Sequence, residues 1–122
     1  MKTYFEVKIA KNGEYMFNFF AKNGKIIATS ETYTTKQNCL LGIESVKANA
    51  DAPIVDIEGT EEIPCPKFEV FEDVGGRFRF HLRAKNGEIV CASQGYSTKQ
   101  SCLLGIESVK TNAAEAEIEI ME

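Results

Sequence analysis

The chain has 122 residues, of which 43% are hydrophobic, and a formal net charge of −4. This length is typical of one domain and allows a buried core without metal or disulfide cross-links. The mild acidic excess argues against a protein whose whole surface neutralises nucleic acid or coats an anionic membrane, although it is compatible with a local basic patch.

One passage occurs twice. Residues 21–50 align without a gap with residues 84–113, so that Gly24 corresponds to Gly87 at an offset of 63 (87 − 24). An internal repeat of this kind predicts two copies of one structural unit. We therefore predict a single pseudo-two-fold domain, with repeat 1 over about 3–57, a linker over about 58–66 and repeat 2 over about 67–121.

The sequence pattern of each repeat predicts three strands, a helix and a fourth strand. In repeat 2 an alternation of apolar and polar residues with period two, from Phe78 to Arg83, predicts a half-buried strand. Asn-Gly pairs at 12–13, 23–24 and 86–87, and the Gly-Gly pair at 75–76, predict tight hairpins between successive strands.

The helix of each repeat has a recognisable start and an apolar stripe. Thr34 followed by Gln37, and Ser97 followed by Gln100, fit a capping box. The stripe repeats at helical spacing, and it consists of Cys39, Ile43, Val46 and Ala50 in repeat 1 and of Cys102, Ile106, Val109 and Ala113 in repeat 2. Gly42 and Gly105 lie in mid-helix, where glycine either opens a pocket or lets two backbones approach closely; we expect the second, with the two helices touching there.

The signature AKNG…Y-[ST]-T-K-Q-x-C…GIESVK-x-NA is present in both repeats. It resembles the YegP-like family of small bacterial proteins of unknown function. The resemblance implies an α+β fold in which two tandem β-β-β-α-β repeats form one antiparallel sheet with both helices on one face. It also implies exchanged C-terminal strands, with 54–57 and 117–120 each pairing in the other repeat. It supplies no activity or catalytic residue.

Two leucines depart from that family's pattern. Members usually have a polar pair just before the Gly-Ile of the helix, where this chain has Leu40-Leu41 and Leu103-Leu104. At 100° per residue, Leu41 and Leu104 point away from the apolar stripe. They predict either a small apolar patch on the helical layer, for a protein partner or a second copy, or two leucines covered by a loop or by the neighbouring helix.

The opposite face of the sheet is a candidate surface for nucleic acid or anions. Alternate positions of one predicted strand place Arg77, Arg79, His81 and Arg83 on this face. Phe71 joins them from the preceding strand, and Met16 and Phe20 join them from repeat 1. Arginines interleaved with aromatic rings can hold phosphate and stack bases. The alternative is an ordinary solvated face, and the acidic net charge favours it.

The helix starts are a further candidate anion site. Lys36-Gln37 and Lys99-Gln100 open the two helices, where backbone N–H groups and the helix dipole favour negative charge. The alternative is a solvated first-turn lysine above a helix end whose donors are already satisfied by a cap.

Catalytic patterns are missing from the sequence. There is one histidine, and there is no P-loop, nucleophile elbow or dinucleotide fingerprint. The four cysteines form no C-x-x-C pair, so we predict no metal or cofactor, and Cys39 and Cys102 fit a buried stripe better than a redox pair. The N-terminal stretch lacks the apolar run of a signal peptide and no segment has the length of a membrane span, so we expect a cytoplasmic protein with no membrane partner. The sequence favours a non-catalytic interaction or accessory module, with nucleic-acid or anion binding on the open sheet face as the alternative.

Overall fold

The computed structural model describes residues 2–56 and 63–121. Ile57 and the predicted linker from 58 to 62 lie outside the described residues. Repeat 1 comprises β1 (Tyr4–Ile9), β2 (Tyr15–Phe20), β3 (Ile26–Thr29), α1 (Lys36–Asn49) and β4 (Ile54–Asp56). Repeat 2 comprises β5 (Lys67–Glu72), β6 (Phe78–Arg83), β7 (Ile89–Ser93), α2 (Lys99–Asn112), a 3-10 turn (Ala113–Glu115) and β8 (Glu117–Ile120).

The described strands form one eight-stranded sheet in the order β4-β5-β6-β7-β3-β2-β1-β8. Each repeat contributes a three-stranded antiparallel meander, and the two meanders join at the centre through the antiparallel pair β3–β7. The fourth strand of each repeat pairs with the first strand of the other, β4 with β5 and β8 with β1. These two edge pairs are parallel, so the sheet is mixed, whereas the family resemblance implied an antiparallel one. The α+β fold with two repeats and one sheet is confirmed.

The hairpins follow the predicted glycines. Gly13, Gly24, Gly76 and Gly87 all have φ between 81° and 86°, which is the left-handed region. In each hairpin the glycine amide donates to the carbonyl three residues earlier, as Gly24 does to Ala21 at 3.0 Å. The residue before it, an asparagine in three hairpins and Gly75 in the fourth, is not among the residues with positive φ. The loop is therefore a type I turn closed by a left-handed glycine, which is a common three-residue hairpin.

The core lies between the sheet and the two helices. The predicted helical stripes are confirmed, because their members in both helices are at most 6% exposed. They pack on five phenylalanines from the inward face of the sheet that are fully buried or nearly so: Phe5, Phe17, Phe19, Phe68 and Phe80. Because alternate strand positions face this layer, the remaining positions of each strand form the open face.

One lysine on each helix connects that helix to the other repeat. Lys47 of α1 donates to the carbonyl oxygen of Ala116, just before β8, at 2.8 Å, and Lys110 of α2 donates to the carbonyl oxygen of Ala52, just before β4. Their ammonium groups also lie over the rings of Phe5 and Phe68, at 5.9 and 5.2 Å from the centroids. These contacts hold each fourth strand at the edge of the other repeat's meander.

Candidate interaction surfaces

Two clefts open on the helical side of the sheet, and each is built from both repeats. The first, which we call the Leu104 cleft, lies between α2 and the β2–β3 hairpin and has a volume of about 730 Å³. The second, the Leu41 cleft, lies between α1 and the β6–β7 hairpin and has a volume of about 390 Å³. Their principal lining residues occupy equivalent positions: Ile26, Ile27, Tyr96, Leu104, Gly105 and Ser108 in one, and Ile89, Val90, Tyr33, Leu41, Gly42 and Ser45 in the other.

The mid-helix glycines make room for a tyrosine and not for the other helix. A Cβ atom built on Gly105 would lie 2.5 Å from the Tyr96 hydroxyl and 3.3 Å from a ring carbon of Phe80. A Cβ atom on Gly42 would meet Tyr33 and Phe17 in the same way. The expectation of a helix–helix contact at these glycines is therefore wrong. A tyrosine ring seated under each helix fills the space instead and forms one wall of each cleft.

The two tyrosine hydroxyls have unused hydrogen-bonding capacity. Burial raises the pKa of Tyr33 to about 12 and also raises the pKa of Tyr96, so both phenols are neutral at pH 7. Within residues 2–56 and 63–121, neither hydroxyl has a hydrogen-bond partner. Each cleft therefore presents one neutral polar group beside apolar walls.

The predicted apolar positions on the helices are exposed. Leu41 is 58% exposed and Leu104 is 63% exposed, and each lies at the rim of its cleft. Their neighbours Leu40 and Leu103 instead pack against the core. Among the described residues, no loop or helix covers the two leucines, so two apolar side chains are exposed on one face of the molecule.

The helix starts differ by one residue from the prediction. The N-caps are Thr35 and Thr98, whose hydroxyl oxygens accept from the third helical amide at 3.1 Å, so Thr34 and Ser97 are not the caps. This shift moves Gln37 and Gln100 out of the capping-box position. Each pair of adjacent hydroxyl residues offered two caps, and the backbone uses the second.

The first-turn lysine of α2 is ion-paired. The ammonium group of Lys99 contacts a carboxylate oxygen of Asp56 in β4. An anion at this helix start would have to compete with Asp56 for the lysine. The first turns of α1 and α2 contain no acidic residue. Lys36 is the first residue of α1, at the position equivalent to Lys99 in α2.

The open face brings the predicted basic cluster together, but with carboxylates inside it. Glu69 of β5 is 8% exposed and accepts from Nε of Arg83 at 2.6 Å and from Nε2 of His81 at 2.5 Å. The ammonium of Lys67 lies 3.5 Å from the same carboxylate. Cross-strand register explains the contact, since Glu69 lies directly opposite His81. The charges of Arg83 and Lys67 are thus already neutralised in large part by the protein itself.

The remaining members of the basic cluster, Arg79, Phe71 and Arg77, also contact other residues of the protein. Arg79 Nε donates to Asp73 at 2.6 Å, and the ring of Phe71 lies 5.0 Å from that of His81. The aliphatic part of Arg77 packs beside Gly95. In repeat 1 the equivalent face lacks the arginines: Phe20 stacks on Tyr4 at 4.9 Å, Met16 lies on the same strand, and Asn18 between them donates to Glu6.

The hydrogen bonds to Glu69 favour its ionised form. Burial alone would raise the pKa of Glu69, but the hydrogen bonds from Arg83 and His81 outweigh it and hold the pKa below its usual 4.5. The carboxylate is therefore ionised at neutral pH and holds its cations in place.

Three of the four cysteines are buried thiols of low reactivity. Cys39, Cys91 and Cys102 are free and buried, and burial raises their pKa values to about 11, 12 and 11. A thiol with such a pKa is protonated at pH 7 and is a poor nucleophile and metal ligand. Within the part of the chain that the structure describes, no three His, Cys, Asp or Glu side chains form a group able to hold a metal ion.

Fold and surfaces together define a small α+β protein of two intertwined homologous repeats, with paired clefts on its helical face. The family model "Domain of unknown function (DUF1508)" matches it twice, at residues 10–56 and 73–119. The chain belongs to this family, as the sequence signature implied. No helix in the described part of the chain is long and apolar enough to cross a membrane.

Curated relatives span nearly the same length. The UPF0339 protein PA0329 of Pseudomonas aeruginosa is 40% identical over 116 residues, covering 95% of this chain and 94% of that protein. The UPF0339 protein YegP of Escherichia coli is 37% identical over 112 residues, covering 92% and 91%. The solution NMR structure of E. coli YegP superposes with a TM-score of 0.79 at 32% identity, covering 98% of this chain and 93% of that one.

Another relative has the length of one repeat. A UPF0339 protein of Methanosarcina acetivorans is 54% identical over 56 residues, which make up 97% of that protein and 46% of this chain. A sequence of one repeat unit therefore exists by itself in this family.

Proposed function

We propose that this protein is a non-catalytic interaction module that binds a protein partner through its helical layer, by which we mean the solvent-facing side of α1 and α2 with the two clefts. The observation that carries this proposal is the exposure of Leu41 and Leu104 at repeat-related positions, each at the rim of a cleft. Exposed apolar groups beside a concave surface are typical of binding sites.

A separate partner fits this surface better than a second copy of the chain does. Glu44 and Glu107 are exposed one helical turn after the two leucines, on the same face. Two helical layers in contact would bring these carboxylates together, and like charges at an interface oppose association. A partner with basic residues around its apolar contacts would not meet this repulsion.

The chemistry of the described side chains supports binding over catalysis. The buried thiols have raised pKa values, and the single histidine is held by Glu69. We propose a cytoplasmic location, since free cysteines are typical of a reducing compartment.

Nucleic-acid or anion binding on the open face is the weaker candidate. Phosphate would have to compete with Glu69 for Arg83 and with Asp73 for Arg79, because each carboxylate already accepts from its arginine. Salt-dependent retention on single-stranded RNA, lost in an Arg79→Ala/Arg83→Ala variant, would favour this candidate over the helical layer.

The test compares two matched variants. Leu41→Glu/Leu104→Glu alters the helical layer, while Ile9→Glu/Val74→Glu changes two other exposed apolar residues and adds the same charge. Proteins retained by the tagged wild-type chain in its native cell are identified, purified and titrated against all three chains by calorimetry. Light scattering over a concentration series measures self-association in parallel.

We expect a purified partner to bind the wild-type chain and the control equally, and to bind the leucine variant about tenfold more weakly or worse, as for an interface anchor. A partner that binds all three chains equally would contradict the proposal. Concentration-dependent dimerisation lost only in the leucine variant would show that a second copy, and not another protein, occupies the layer.

A further inference from the structure

The two clefts are nearly the same in residue type but differ in charge. Seven pairs of equivalent lining positions carry identical residues, namely 21/84, 23/86, 26/89, 33/96, 41/104, 42/105 and 45/108. At position 25 in the Leu104 cleft the residue is lysine, and at the equivalent position 88 in the Leu41 cleft it is glutamate. The pseudo-two-fold axis therefore relates two sites of similar chemistry and opposite charge.

The shared lining suits a branched apolar group. Ile26 and Ile27 in one cleft, and Ile89 and Val90 in the other, are contributed by the hairpin, and the exposed leucine stands opposite on the helix. The tyrosine hydroxyl adds one hydrogen-bonding point in each cleft. Both volumes fall within the range of pockets that hold small ligands or single protruding groups.

The charged positions are available to a ligand. Lys25 and Glu88 are both exposed, and neither side chain forms an ion pair with any residue in 2–56 or 63–121. This distinguishes them from Lys67, Arg83 and Lys99, whose carboxylate partners are within the protein. Among the lining residues, a group bound in either cleft would meet one uncompensated charge.

We propose that the Leu104 cleft binds an apolar group bearing a carboxylate, and that the Leu41 cleft binds an apolar group bearing an ammonium or guanidinium. That both groups belong to one protein partner rests on the function proposed above. A partner lying across two equivalent clefts could bind in two orientations related by the pseudo-two-fold axis. The opposite charges of Lys25 and Glu88 make one orientation favourable and the other repulsive, so they select the direction in which the partner lies.

The test uses two small probes with the same apolar body, 4-methylpentanoate and 3-methylbutylamine. Each is titrated into the full chain at low salt, and amide-resolved NMR follows Gly24 and Gly105 for the Leu104 cleft and Asn86 and Gly42 for the Leu41 cleft. We expect weak binding in which the carboxylate prefers the Leu104 cleft and the amine prefers the Leu41 cleft, each by about fivefold, the upper end for one exposed charge pair.

Charge exchange provides the matched control. Lys25→Glu/Glu88→Lys leaves the net charge unchanged and should exchange the two preferences, whereas Lys22→Glu, on the same hairpin but outside the cleft lining, should leave them as in the wild-type chain. Probes that bind neither cleft, that bind both without preference, or whose preferences survive the charge exchange would overturn the proposal. Shifts of the same amides on raising protein concentration alone would overturn it too, because a second copy would then occupy the clefts.

This experiment and the partner titration fail separately. If the probes bind selectively but no partner loses affinity for the leucine variant, the cleft assignment stands and the proposed function is wrong. A partner that depends on Leu41 and Leu104, together with unselective probes, would keep the function and remove the charge assignment.

Discussion

Replacing Gly105 by alanine tests the packing that forms the Leu104 cleft. At an unobstructed mid-helix position this substitution stabilises a protein by about 1 kcal/mol, because glycine loses more backbone freedom on folding. Here the new methyl group would lie 2.5 Å from the Tyr96 hydroxyl and 3.3 Å from Phe80. Overpacking of a filled site costs about 1–3 kcal/mol. We therefore predict a net decrease of about 1 kcal/mol in the free energy of unfolding.

A second substitution identifies the obstructing atom. Tyr96→Phe removes the hydroxyl, so that the nearest ring carbon lies 3.1 Å from the new methyl, a tight contact that a small shift of the ring relieves. Tyr96→Phe alone should change stability little, because the hydroxyl has no hydrogen-bond partner among the described residues. In the double variant the loss caused by Gly105→Ala should largely disappear, which corresponds to a coupling energy of about 1 kcal/mol.

Urea unfolding of the four chains, followed by far-UV circular dichroism, measures this cycle. Gly42→Ala with Tyr33→Phe repeats it at the equivalent position and should give the same signs. If Gly105→Ala alone stabilises the protein, or if its effect is independent of residue 96, the tyrosine does not fill the space under the helix and the described cleft wall is wrong.

Further predictions concern charge, the contacts between repeats and the thiols. The pKa of Glu69 is lowered on folding, so its contribution to stability is present above its unfolded pKa of about 4.5 and is lost as pH falls through the folded value. Glu69→Gln should therefore flatten the acid side of a plot of unfolding free energy against pH. Lys47→Met and Lys110→Met should each cost about 1–3 kcal/mol, since each removes a charged donor to a backbone carbonyl of the other repeat, and a loss below the error of chemical denaturation would contradict that role. Cys65 should react with a thiol reagent in the native state well before the three buried cysteines, which should react only at the rate of unfolding; equal rates for all four would refute the burial described.

Local features of the fold could be predicted from the sequence because each depends on neighbours in the chain. The helical stripe that includes Ile43 and Val46 follows from spacing alone, and the left-handed glycines follow from Asn-Gly. The helix cap was off by one because Thr34 and Thr35 are both good caps, and only the backbone path selects Thr35.

The clefts could not be predicted in the same way, because they depend on contacts between distant segments. Which hairpin lies beside which helix is set by the central β3–β7 pair and not by local periodicity. Sequence reasoning noted the exposed leucines but missed Lys25 and Glu88 as cleft residues. The repeat alignment already contained a signal, since a charge reversal at equivalent positions marks a place where the two halves differ in chemistry.

The open face shows a similar limit. Sequence reasoning found its arginines and weighed the acidic net charge against them, but the strength of the compensation depends on register. Because Glu69 faces His81 directly and reaches Arg83, one carboxylate accepts from both side chains. A shift of one residue in that register would have turned Glu69 to the other face of the sheet and left both side chains without it.

The central claim is that the two repeats complete each other, both at the sheet edges and in each cleft. The most direct measurement is to divide the chain in the 58–66 connection, purify each half separately, and determine its mass by light scattering and its unfolding by urea. We predict that neither half is a folded monomer and that each is either unfolded or self-associated. Mixing the two halves should give a one-to-one complex that unfolds in urea as a folded protein does. A half that is monomeric and unfolds cooperatively by itself would contradict the claim, and the composite clefts proposed as binding sites would have to be abandoned with it.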